Sequence, residues 1–305
     1  MQWPSWKVLA GSGAAVAAVA AVVVVTSGDD GPADGCLSSL VAHLPPEAGT
    51  VSGTDIGRAR DAGLALDGTV EEIGKAAFDT SLRLDPLTAR RVQIMDDGTD
   101  DVGYGLDDLR CWLGEQGAGF AGRGSFDGDA VADSPAGQDD QARVSDDLIA
   151  YDPDPEGDLA ARLDPSSSSS PSDEGSVLAA AVDVLDRHGI VTFDLISAGD
   201  VTDGPWVGLG LAAADDGGEG DWDLVGVWAF ADPERAVAEE GNVADAIAEG
   251  DVGDMLDGDP VDLVHHDGRT LWMRAPLVAD PADWTQPIAL FDPVLTVVAD
   301  FADGN

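Results

Sequence analysis

The stretch WVGLGLAAADDGGEGDWDLVGVWAFA, Trp206 to Ala231, decides the fold. Two apolar runs rich in Val, Leu and Trp flank ADDGGEGD, and runs of that length bounded by Gly and Asp read as strands. Trp206 to Ala213 and Trp222 to Ala231 therefore form neighbouring antiparallel strands with an acidic hairpin connection. Ile190 to Ile196 reads as a third strand. Before it, Val177 to His188 is a helix with Val177, Ala181, Val184 and Leu185 on one face and Gly189 as its stop.

Downstream, Asp232-Pro233 opens a helix by cap and first-turn proline, and Asn242 caps a further short helix, VADAIAEG, ending at Gly250. Val261 to His265 and Thr270 to Arg274 bracket HDGR as a hairpin, and residues 287–298, PIALFDPVLTVV, supply one or two last strands. Upstream lies PSSSSSPSDEG, residues 165–175, a Ser/Pro-rich flexible linker. Before the linker, CLSSLVAHL stops at Pro45-Pro46, and TDIGRARDAG predicts a helix between Thr54 as N-cap and Gly63. Thr69 and Glu72 form a capping box for another helix. Val92 to Met95 reads as a strand, Leu106 to Leu113 as a helix carrying Leu109, Cys111 and Trp112, and Gly119 to Phe126 and Asp147 to Tyr151 as strands.

These elements predict an α+β protein with one or two antiparallel-sheet-plus-helix units, 36–164 and 176–305, on either side of the linker. A weak internal echo runs through them. GFAGRGSFDGDAVA and DLVGVWAFADPERAVA both pass from a strand through Phe126 or Phe230 into an Ala-Val helix, with DLIAYD or DLVHHD further on.

Ahead of both units stands VLAGSGAAVAAVAAVVVVT, Val8 to Thr26, 19 uncharged residues. As a helix it spans roughly 28 Å, enough to cross a bilayer once. Lys7 precedes it and Asp29 and Asp30 follow, so the positive-inside bias leaves residues 1–7 as a cytoplasmic tail and the bulk extracytoplasmic, with 27–35 a spacer. Two other readings stand beside this one. Val25-Thr26-Ser27 offers a signal-peptide cleavage site, which would give a secreted protein, and Cys36 could carry a lipid, although Ala33-Asp34-Gly35 fits that poorly.

The 305 residues carry a formal charge of -44, with 59 acidic and 15 basic side chains. Such a surface repels nucleic acid and anionic headgroups, so no nucleic-acid partner is expected. Its hydrophobic content, 44%, is sufficient for a core. Cys36 and Cys111 are the two cysteines; beyond the apolar segment they lie in an oxidising compartment, and a disulfide between them is expected.

Sites of other kinds are weak. The acidic loops Asp96 to Asp101 and Asp215 to Asp223 lack the ligand spacing of a calcium loop. His265-His266-Asp267 sits on a strand, where adjacent side chains face opposite ways. His188 ends a helix, where a cation suits the dipole; His43 lies just before a proline pair. Ser125 in GRGSFD lacks a nucleophile elbow, Gly208 lies in a strand rather than a phosphate loop, and Lys75 reads as a surface charge. Trp206, Trp222, Trp228 and Trp272 read as core, with an exposed sugar-binding stripe as the rival. No catalytic residue, cofactor or metal ligand is assigned.

In its apolar N-terminal segment, Cys-to-Cys first unit, Ser-rich linker and acidic Ala/Asp/Gly composition, the chain resembles the uncharacterised membrane-anchored exported proteins of high-GC Gram-positive bacteria. That resemblance covers layout and composition and implies no site residues. The expected function is a membrane-tethered, non-enzymatic extracytoplasmic binding or interaction protein, anchored through residues 8–26 and contacting an extracytoplasmic protein or envelope component. The alternatives are a cell-envelope hydrolase with a dispersed site and a small-ligand binder with a cleft between the two units. Because a surface this acidic repels itself when unscreened, the melting temperature is expected to rise from low to molar NaCl, as scanning calorimetry would show.

Overall fold

A computed structural model describes residues 35–44, 49–63, 66, 102–115, 119–154, 159–164, 176–197, 204–214, 222–249 and 264–276. The strands are β1 (Thr50–Asp55), β2 (Leu109–Glu115), β3 (Gly119–Gly124), β4 (Ala142–Ser145), β5 (Leu148–Tyr151), β6 (Ile190–Ser197), β7 (Trp206–Ala213), β8 (Trp222–Ala229), β9 (Val264–Asp267) and β10 (Thr270–Pro276). The helices are α1 (Ile56–Asp61), α2 (Gly128–Asp133), α3 (Pro135–Gln138), α4 (Leu159–Leu163), α5 (Val177–Arg187) and α6 (Pro233–Glu249), with short 3-10 segments at Ser38–His43 and Leu106–Asp108.

All ten strands join one antiparallel sheet, in the order β4-β5-β3-β2-β1-β6-β7-β8-β10-β9. This corrects the expected α+β architecture of one or two separate sheet-plus-helix units: the described residues form mostly one antiparallel sheet with few helices. The physical reason is backbone pairing: β1 and β6, from opposite sides of the Ser/Pro-rich segment, run antiparallel with Val51 opposite Leu195 and Gly53 opposite Phe193. Neither strand is left as an edge, so the sheet is continuous. Among the described residues no helix is long and apolar enough to cross a membrane. The anchor predicted at 8–26, the linker at 165–175, the capping box at Thr69, the strand at Val92 and the strands in 287–298 lie outside the described residues.

The sheet repeats its own plan. The first half is ordered β1-β2-β3-β5-β4 and the second β6-β7-β8-β10-β9: a three-strand meander, a helix, then a hairpin whose second strand returns to the third. The echo in the sequence falls partly on this repeat. Phe126 and Phe230 both follow the third strand and pack in the same core, and Asp127 and Asp232 then cap α2 and α6 through their carboxylates. LIAY of the first later motif and VHHD of the second do not correspond, since LIAY forms β5 and VHHD forms β9, the partner of β4 in the repeat.

Both faces of the sheet are buried. On one, Trp112, Leu209, Trp222, Leu224, Trp228 and Met273 lie with Ile56 of α1, Val131 of α2 and Val243 and Ile247 of α6. On the other, Leu113, Phe193, Leu195, Trp206, Val225 and Val227 lie with Leu178, Val182 and Leu185 of α5 and with Leu37, Leu40 and Val41. Double-sided burial explains the unbroken apolar character of β7 and β8.

It also explains a misreading. LRCWLGE has no clean alternation because Cys111, Trp112 and Leu113 are all buried, so the segment expected to be a helix at Leu106 to Leu113 is strand β2. Two further differences are of the same local kind. TVSGTD pairs with β2 and β6 before the chain turns into α1, so the cap is Asp55, not Thr54. The helices expected on either side of Asn242 are one helix, α6.

At the central pair, Gly53 faces Phe193 and Leu113. A methyl group there would stand 2.7 Å from the Phe193 ring and 2.9 Å from Leu113 Cδ1, closer than packed carbons allow. Gly53→Ala is expected to destabilise the fold by about 1–3 kcal/mol in chemical denaturation.

Candidate functional site

The residues with chemistry gather at three places. The first is the outer end of the second half. His188 ends α5 after Arg187, and Gly189, with φ 72°, turns the chain into β6. The imidazole of His188 lies against the indole of Trp272, centroids 3.8 Å apart and 31° from parallel. His265 stands directly opposite Trp272 in the β9-β10 register, and its ring centroid is 4.6 Å from the same indole.

Two ion-paired arginines border this stack. Arg274 bonds Asp223 at 2.6 Å and donates to the carbonyls of Ala213 and His188, while Arg187 pairs with Asp183 at 3.0 Å and Asp267 at 2.7 Å. Burial first, then the positive charges of Arg187, Arg274 and His265, push His188 below its ordinary 6.5, against a smaller opposing pull from Asp267.

The second place is the matching region of the first half. His43 closes the segment Ser38–His43 and is buried, 8% exposed. Its Nδ1 lies 2.5 Å from the Arg162 carbonyl, an acceptor, so Nδ1 carries a proton and donates it there. Arg162 returns the contact through Nε to the His43 carbonyl, and its other nitrogens reach the carbonyls of Tyr151 and Phe120 and the carboxylate of Asp152. Desolvation lowers His43 below 6.5, opposed by its hydrogen bond to the Arg162 backbone. Each half thus ends its first helical segment in a histidine whose carbonyl an arginine holds. In the first half that histidine is sealed; in the second it rests on a partly exposed tryptophan.

The third place links the start of the described chain to the sheet. Cys36 and Cys111 form a disulfide with Cα atoms 6.2 Å apart, inside the usual range. Next to it, Asp186 of α5 is 3% exposed and accepts from the backbone N–H and hydroxyl of Ser38, while Arg58 Nη1 lies 2.8 Å from its other oxygen as an ion pair. Asp55 caps α1 by accepting from the Arg58 N–H. Its carboxyl is raised above the ordinary 3.8, chiefly by burial.

Other residues singled out in the sequence separate. His266 is opposite Leu271, one place along from His265, so the two rings point to opposite faces. Ser125 is exposed after β3, and Gly208 is packed against the carbonyl of Asp194 inside β7. Trp206, Trp222 and Trp228 are 0%, 6% and 2% exposed, so they form core and no binding stripe. Among the described residues, no three His, Cys, Asp or Glu side chains converge where they could hold a metal ion. Lys75 and the acids at 96–101 and 215–221 lie outside the described residues. Sequence reasoning missed the Trp272 stack because its members come from a helix end and two strands, and only the pairing of β9 with β10 brings them together.

Comparison of the chain with family models, with curated proteins and with solved structures finds no match.

The two shifted histidines set a pH dependence. A histidine whose folded-state value lies below its unfolded 6.5 contributes stability above that value and loses it as pH falls from there through the folded value. Asp55, shifted upward, acts in the opposite sense and favours the fold as it protonates. The thermal midpoint is therefore expected to fall between about pH 7.5 and about pH 5.5. His43→Asn, which keeps a donor in place of Nδ1 but cannot titrate, is expected to flatten that fall.

Proposed function

We propose that this chain is a non-enzymatic extracytoplasmic binding or interaction protein, tethered to the cell membrane through residues 8–26 with residues 1–7 on the cytoplasmic side. The observation that carries the reading is the disulfide between Cys36 and Cys111. Such a bond persists in oxidising compartments and is opposed by the reducing pools of the cytosol. It closes at the first residues of the fold, just after the spacer that follows the apolar segment.

The use made of the reactive groups supports a binding role over a hydrolytic one. Arg162 is spent on backbone carbonyls, Asp186 on the Ser38 segment, and His43 on the Arg162 carbonyl. Ser52 donates to Asp194 across the β1-β6 pair. Val237 is the one exposed large apolar side chain among the described residues, so the surface offered to a partner is polar and acidic.

Cross-linking on intact cells through surface carboxylates, followed by identification of the adducts, tests the reading. Recovery of a defined envelope component attached to the extracytoplasmic part is the expected result. A chain found in the cytosol with two free thiols by non-reducing mass analysis would overturn it.

A further inference from the structure

Among the described residues, β9 is the outermost strand of the second half-sheet, with β10 as its one neighbour in the sheet. Besides the core packing of Val264 beside α6, three things hold it. One is the four-residue pairing with β10, from Thr270 opposite Asp267 to Met273 opposite Val264. Another is the ion pair from Arg187 to Asp267 at 2.7 Å. The third is the ring contact that runs from His265 of β9 to Trp272 of β10 and on to His188 at the end of α5. A four-residue edge strand has little pairing of its own, so the last two contacts carry weight out of proportion to their size.

We propose that the stack of His188, Trp272 and His265 is an acid-operated latch, which keeps β9 against the sheet while the His188 imidazole is neutral and releases it when that ring charges. The charged groups around the stack are Arg187 and Asp183 on α5, Arg274 on β10, Asp223 on β8 and Asp267 on β9. These are two cations and three carboxylates, each cation already engaged by a carboxylate. Charging His188 sets an imidazolium against the indole beside two guanidinium groups, at the end of the helix whose Arg187 holds Asp267 of β9.

A charged His188 imidazole recovers its hydration, and parts from the two guanidinium groups, by leaving the indole face. The shift of His188, driven by burial and by Arg187, Arg274 and His265, has the sign this requires: the closed stack disfavours the proton, so the proton disfavours the closed stack. His266 lies on the other face and takes no part. Release of β9 bares the outer hydrogen-bonding edge of β10 and leaves Trp272 without either cover. The latch does not depend on where in the cell the chain resides.

Hydrogen exchange on the intact chain tests this, reading the amides of 264–267 against those of β7 after correction for intrinsic exchange. From about pH 7.5 to about pH 5, protection of β9 is expected to fall at least about tenfold more than that of β7. His188→Phe keeps a flat ring that cannot charge and is expected to diminish the fall. If His188→Phe does not fold, His188→Gln serves, since it is neutral at both pH values and must diminish the pH dependence even if basal protection is lower. Protection of β9 that tracks β7 at both pH values, or a fall as large in the non-titrating variants as in the native chain, would overturn the proposal.

Discussion

The pairing of β1 with β6 at the centre of the sheet is the contact on which the rest is built. Each of these strands is the first of a five-strand order, and each would otherwise present a full row of unsatisfied N–H and C=O groups at an edge. Joined antiparallel, they turn two such edges into the middle of a ten-stranded sheet, related much as the two partners of an isologous dimer are. The side chains there are matched to closeness. Gly53 makes room for Phe193 on one face, while on the other Ser52 bonds Asp194 and the hydroxyls of Thr54 and Thr192 meet at 3.2 Å. What remains at the ends is short: β4 and β9 are four residues each, and both carry charged or polar side chains outward. Strand edges of that kind resist pairing with other chains.

Much of the second half could be read in the sequence. Helix α5 announces itself by a 3.6-residue apolar period between Ser176 and Gly189, and β6, β7 and β8 by long Val/Leu/Trp runs. The first half was harder for a physical reason. Strands β1 and β2 are buried on both faces and hold Gly, Ser, Thr and Cys where β7 has Val and Leu, so neither alternation nor β-branched richness marks them. Strand β4, ARVS, is too short to carry a pattern at all. The continuity of the sheet was beyond local reading. It depends on a pairing between strands more than a hundred residues apart, and a Ser-rich low-complexity segment between them reads naturally as a domain boundary.

The chemistry was legible to the same degree. A pair of cysteines admits one pairing, so Cys36 and Cys111 could be matched by counting. The histidines could not be placed. His43 and His188 occupy like positions at the ends of helical segments, yet the surroundings that distinguish them, Arg162 in one case and Trp272 in the other, come from distant parts of the chain. The alternation rule did separate His265 from His266 correctly, and it is His265 that meets the tryptophan.

The disulfide has a mechanical side. A pull on the chain ahead of residue 36 meets the sulfur bridge almost at once, and the covalent path leads directly to Cys111 in the middle of β2, bypassing the 75-residue interval between the cysteines. Tension would therefore enter at a strand paired on both sides, where hydrogen bonds must shear together, instead of peeling Leu37, Leu40 and Val41 from the core one after another. Those three side chains can stay in place under a load they do not bear.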